Sequence, residues 1–174
     1  MTGGSLSGRM DMTAPVGKVK IGGIIKKPNL ALVGVLSAPD RLELMGTVFE
    51  VLGERGVNCV LIVQSVDANG QASILFALAR PRLPVALEVL REAQGDIGPY
   101  EVAVHDEVGI ISVFGPHFGE RAGIAGRMFA ALGAGGIEIR ATSTSISSLS
   151  CVVDGHKLEE AVGALKQAFQ LPSS

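Results

Sequence analysis

The chain has 174 residues, enough for one large domain or two small ones at the roughly 100–150 residues a domain usually takes. Hydrophobic residues make up 47% and charged ones 18%, too apolar for a disordered chain, while 15 basic against 17 acidic side chains exclude the strongly basic balance of a nucleic-acid binder. Mean hydropathy is +0.40, yet no apolar run reaches the ~18–20 residues of a membrane helix, so the surplus belongs in a core and a subunit interface.

Met1 to Gly17 is rich in Gly, Ser and Met, contains Pro15 and lacks the apolar centre of a signal peptide. It reads as the flexible leader of a cytoplasmic protein. Lys18 to Ile25 follows as a candidate strand, and Leu30–Leu36 as another. The spacing of Leu44, Val48, Val51 and Leu52 predicts a helix over Arg41–Arg55. Asn58–Ser65 and Ala72–Leu78 form a hairpin whose turn, Asp67-Ala68-Asn69-Gly70, carries an Asn-Gly signal. A second helix covers Leu83–Gln94 and a strand Tyr100–His105, with His105-Asp106-Glu107 as a linker. The elements then recur: strand Val108–Gly115, helix Arg121–Ala134, strands Ile137–Thr144 and Ser148–Asp154, and helix Lys157–Phe169.

The recurrence is a repeat. Phe49 and Phe129, Leu52 and Leu132, and Gly56 and Gly136 each stand 80 positions apart; Leu83, Ala86 and Leu90 match Leu158, Ala161 and Leu165 at an offset of 75. The shorter hairpin of the second copy absorbs the difference. Gly56 and Gly136 fall where a left-handed residue closes a helix. The second copy ends after its second helix, one strand short, and Lys18–Ile25 (K-V-K-I-G-G-I-I) is a spare strand at the other end of the chain. The expectation is an α+β fold of two ferredoxin-like βαββαβ units, the first inserted within the second: residues 27–106, and residues 18–26 plus 107–172.

Catalytic chemistry finds little purchase. No phosphate-cradling GxxxxGK[ST] stretch is present, and Gly133-Ala134-Gly135-Gly136 follows a helix rather than joining a strand to one. His105, His117 and His156 lack metal-ligand spacing; Ser143-Thr144-Ser145 has no base placed near it; Cys59 and Cys151 sit in apolar runs as buried reduced thiols. No metal or cofactor is expected. Phe76 and Phe114 are too few aromatics for an RNA-stacking sheet.

Leu32-Val33-Gly34-Val35, Pro39-Asp40, Leu61 to Val66, Gly123 to Phe129, Gly136-Ile137-Glu138-Ile139 and Ser143-Thr144-Ser145, taken in order, resemble tandem ACT domains, specifically the regulatory portion of aspartate kinase. The kinase domain that normally precedes this portion is absent, as in the separate small subunit of some members. The resemblance implies feedback control by lysine or threonine, dimerisation through the ACT domains and a catalytic kinase chain as partner. It places the effector between the loop entering the first helix of one unit and the second strand of a facing unit. Mapped here, that is Asp40, Leu44, Met45 and Gln64 in the first unit, and Gly123, Ile124, Ala125, Ile137, Glu138, Ser143 and Thr144 in the second. Gly123 either lets a ligand oxygen approach the backbone or relieves crowding at a helix start. Three departures stand out: Glu43 replaces the family Gly, Met45 a small Ala, and Glu138 an Asn. Asp40 and Glu43 have capping-box spacing, which puts the chain's own carboxylates where a ligand carboxylate would sit. A pocket that has decayed, leaving a dimerisation scaffold, is the alternative reading.

Overall fold

The computed structural model describes residues 18–39, 42–97, 100–115 and 122–172. Its longest element is a strand, β2 (Gly23–Pro39), which runs antiparallel to β5 (Glu101–Phe114) over nearly its whole length, from Gly23 opposite Phe114 to Leu36 opposite Glu101. Around this ribbon lie β3 (Cys59–Val66), β4 (Gln71–Ala79), β6 (Ala141–Thr144) and β7 (Ser148–Asp154), giving one six-stranded sheet in the order β3-β4-β2-β5-β7-β6. The C-terminal part of β2 pairs with β4, and the C-terminal part of β5 pairs with β7. Each half of the sheet is therefore a four-stranded antiparallel unit of ferredoxin-like order, and each long strand serves both. Ile24, in the spare N-terminal strand, lies opposite Val113 and completes the second unit.

Four helices cover one face: α1 (Leu42–Glu54) and α2 (Leu83–Ile97) the first half, α3 (Ile124–Ala134) and α4 (Leu158–Ala168) the second. Val48 and Leu52 of α1 meet Ala86 and Leu90 of α2 over Val33, Val35 and Phe76. Ile124, Met128 and Leu132 of α3 meet Leu158 and Leu165 of α4 over Ile111, Val113 and Cys151. The repeat extends to backbone detail. Gly56 and Gly136 have φ of 70° and 63°; Val57 and Ile137 donate to the carbonyls of Leu52 and Leu132 at 2.8 and 3.0 Å, and Gly56 and Gly136 to those of Gly53 and Gly133. These are two copies of one C-cap of the Schellman type. A single 3-10 turn likewise precedes the second helix of each unit, Arg80–Arg82 and Gly155–Lys157. The copies differ at one aromatic: Phe49 packs edge-on against Phe76 with ring centroids 5.4 Å apart, whereas Phe129 is 39% exposed.

A third apolar cluster lies on the opposite face, at the junction. Leu30 and Leu32, Val108 and Ile110, Ala77 and Leu61, Val152 and Ala141 are buried together, and β3 approaches β6. The sheet folds across this cluster where β2 and β5 each carry an irregularity: one between Lys27 and Leu30, the other opposite Leu30–Leu32, where Val108 steps to His105. Pro28 has no N–H to lose there, and Asn29 adopts φ 59°, a left-handed conformation that Asn tolerates better than most residues.

Several expectations need correction. His105-Asp106-Glu107 is not a linker, because β5 runs through it; its polar character reflects a bulge in a continuous strand. Lys18–Ile25 is not one strand. β1 (Val19–Lys20) pairs in parallel with β8 (Phe169–Gln170) before the chain enters β2. The break occurs where a Cβ on Gly115 would lie 2.8 Å from the Gly22 nitrogen, too close for any side chain. Strand β6 begins at Ala141, not Ile137. Residues 1–17, Asp40 and His117 lie outside the described residues, as does the side chain of Glu43 and hence the capping box.

The repeated cap makes a test. Gly136→Ala puts a Cβ at positive φ and should cost about 1 kcal/mol in urea unfolding. Gly133→Ala, within the same helix and with open space around its Cβ, should instead stabilise by about 0.5–1 kcal/mol.

Candidate functional site

In each unit the first helix runs back against the strand before it and delivers the chain to a second strand parallel to the first. The start of the helix and the C-terminal end of that second strand therefore meet at the same end of the sheet. Leu44 and Met45, in the first turn of α1, share such an end with Gln64 of β3. Gly123, Ile124 and Ala125, at the start of α3, share the equivalent end with Ser143 and Thr144 of β6. Gln64 and Thr144 are themselves 80 positions apart. Two equivalent candidate ends result, one per unit, and Asp40 is not among the described residues.

The second end is the better defined. Gly123 has φ 89° and stands as the N-cap of α3; among the described residues no side chain caps the helix, and the Gly123 carbonyl accepts the Arg127 N–H at 3.0 Å. Among the described residues nothing lies within 4 Å of where its Cβ would be. Its positive φ is itself a reason for glycine at this position. Ala125 is exposed beside it, whereas Ile124 is buried in the core together with Ile137. The β6–β7 turn closes the same end, with the Gly115 N–H donating to the Ser147 carbonyl at 3.0 Å and Ser145 Oγ accepting the Ser148 N–H at 3.1 Å. Ser143 pairs with Ser150, whose hydroxyl meets that of Ser112 at 2.7 Å, and Thr144 is exposed on the edge strand. In the first unit Gln64 is exposed, flanked on its face by Ile62 and Val66, themselves about half exposed.

Ile137 and Glu138 lie apart from this end. They follow the C-terminus of α3, about 16 Å of helix away from Gly123 at 1.5 Å per residue over 11 residues. Within one copy, Glu138 and Gly123 do not form one site. The Glu138 carboxylate is also engaged: Arg140 Nη2 meets it at 3.0 Å and meets Asp154 Oδ2 at 3.0 Å, while Arg140 Nε reaches Asp154 Oδ1 at 3.1 Å. The Arg140 hydrogen bond holds the Asp154 carboxyl below its ordinary range against the opposing effect of burial. Arg140 was not legible as a partner of Glu138, although a signal existed: the first copy has Val60 at the corresponding position. The thiols of Cys59 and Cys151 are free, and burial raises the pKa of both. Two cavities among the described residues, about 560 Å³ between α3 and α4 and about 580 Å³ between β2 and α4, are lined by other residues.

Residues 111–169 match the family model of the ACT domain, so the second unit belongs to that class of small regulatory modules. Over 86% of its length the chain is 32% identical to an aspartokinase of Geobacillus stearothermophilus, of which it spans 36%. Its fold matches the regulatory subunit of aspartate kinase from Thermus thermophilus in a ligand-free form, with a TM-score of 0.79, 25% identity, and coverage of 86% of this chain and 99% of that one. A structure of aspartokinase alpha and beta subunits matches with a TM-score of 0.77 and 26% identity, covering 85% of this chain and 97% of the matched one. The chain is a tandem ACT-domain polypeptide related to the regulatory portion of aspartate kinases, and corresponds to that portion rather than to a catalytic one.

The Arg140–Asp154 pair sets a pH dependence. A carboxylate whose pKa falls on folding stabilises the fold above its unfolded pKa and loses that contribution as the pH falls through the folded value. Asp154→Asn should therefore lower the urea midpoint at pH 7, and its difference from the parent chain should shrink from about pH 4 downward.

Proposed function

We propose that the chain is an amino-acid-responsive regulatory subunit or module of aspartate kinase, transmitting feedback by lysine, threonine or both to a catalytic kinase chain in the cytoplasm, and that it self-associates through its ACT domains. The units divide at residues 26/27 and 106/107. The observation that carries this reading is the arrangement at the start of α3, where the helix begins at Gly123 with no side-chain cap among the described residues, at the same end of the sheet as Ser143 and Thr144. Backbone N–H groups at such a start suit a ligand carboxylate, and the hydroxyls of the neighbouring strand suit its polar remainder. Regulation follows if the effector binds one relative arrangement of units more tightly than another, since only that difference is available to move the kinase chain.

A scaffold with an altered or lost effector is the second reading. Glu138 favours it, because its carboxylate is paired with Arg140 where the family carries a neutral Asn.

Isothermal titration with each of the twenty amino acids separates the two. The sensor reading expects saturable heat with lysine or threonine, and its loss in Gly123→Val, which forces a branched side chain into positive φ. Silence with all twenty removes the sensor role and leaves the scaffold. Heat restored only by Glu43→Gly with Glu138→Asn would identify a decayed pocket.

A further inference from the structure

Lysine is unevenly placed in this chain. All six lysines fall either within residues 18–27, which carry no acidic side chain, or at the two ends of α4, although the chain as a whole has a net charge of −2. Three of the six line cavities. Lys26 of β2 and Lys166 of α4 border the cavity of about 580 Å³ between those elements. Leu171 and Pro172 line that cavity and a smaller one of about 210 Å³, which has Lys20 in its wall. The larger cavity follows from the fold. Gly23–Lys27 pairs with β5 alone, so among the described residues no strand lies beyond it, and α4 packs over the angle this leaves. Ile24 and Lys26, two residues apart, share the helix-facing side of the strand, while Glu159, Val162 and Lys166 at i, i+3 and i+7 form one side of α4. Ile24, Val162 and Leu171 pack against the core from the outside and give the cavity an apolar floor.

We propose that this cavity binds a small amphipathic anion, an anionic head on an apolar chain, with the head between Lys26 and Lys166 and the chain on Ile24, Val162 and Leu171. Its volume lies in the range of small-molecule sites, and an apolar floor under a few charged groups is their usual lining. The sign of the ligand follows from the count of charges. Two ammonium groups face one carboxylate, Glu159, and only Lys26 is paired with it. Lys166 is exposed and makes no ion pair among the described residues. The side chains of the Lys26–Glu159 pair are 46% and 74% exposed, so Lys26 exchanges that partner for a ligand head at little cost. A cationic ligand would meet the excess positive charge and is disfavoured. The cavity shares no residue with the start of α3, so silence of the chain toward the twenty amino acids leaves this inference standing.

Nuclear magnetic resonance titration of the ¹⁵N-labelled chain tests it, with octanoate and octyl phosphate as probes below their micelle-forming concentrations. One or both should shift the amides of Gly23, Ile24, Val162 and Leu171 saturably, and the tighter of the two identifies the preferred head. Octylamine, with the same apolar chain and the opposite charge, should bind several-fold more weakly, as should acetate and inorganic phosphate, which have the head without the chain. Lys166→Glu should weaken the tighter probe several-fold; the side chain is exposed, and the variant's own spectrum checks that the fold persists. Octylamine binding as tightly as the anions, or affinity unchanged in Lys166→Glu, overturns the proposal. So does the absence of saturable shifts at those four amides. Shifts there with a Glu- and Leu-containing peptide but with neither probe would overturn it in favour of a protein-docking groove.

Discussion

The pairing of β2 with β5 is the constraint on which the molecule depends. Each half-sheet lacks one strand unless the other half lends it. Gly23–Lys27 completes the sheet of the C-terminal unit, and Glu101–His105 completes that of the N-terminal unit. The two cores are linked through the ribbon, since Val33 and Val113 lie in different cores yet belong to the same pair of strands. The bulges near Asn29 and near Glu107 let the ribbon bend, and the third cluster, with Leu30, Leu32, Val108 and Ile110 at its centre, is what the bend buries.

Much of this was legible in the chain itself. An apolar stripe such as Leu44, Val48, Val51 and Leu52 has one physical solution in water, and its recurrence 80 residues later makes duplication economical. Gly56 and Gly136 signalled the helix ends because positive φ is what Gly supplies most cheaply, and both adopt it. The missing last strand, set against a spare one, was enough to infer nesting. What escaped was whatever depends on pairing across distance. His-Asp-Glu at 105–107 has the composition of a loop, and only a partner strand shows that the backbone continues through it. Ile137 to Arg140 has the composition of a strand, yet pairing begins at Ala141. The Glu138–Arg140–Asp154 network joins residues up to 16 positions apart, and no periodicity marks it.

The candidate site divides in the same way. That the start of α3 and the end of β6 share one end of the sheet follows from topology, and the residues singled out there, Gly123, Ala125, Ser143 and Thr144, all lie at that end. Glu138 is held at the far end by its own ion pair. Within the regulatory reading, this separation means that an effector engaging both ends has to sit between two units, so binding and the relative placement of units are linked. A ribbon shared by both units is suited to pass such a displacement on, because its cross-strand pairs cannot slip by one residue without turning every side chain to the opposite face.

The most direct test of the shared ribbon is a map of backbone nuclear Overhauser contacts in the uniformly labelled chain. Antiparallel pairing across both halves predicts cross-strand contacts between Ile24 and Val113 and, in the same molecule, between Val33 and Val104. Contacts between Val33 and Val104 with none between Ile24 and Val113 would mean that the C-terminal sheet is completed in some other way, and the nested architecture would be wrong.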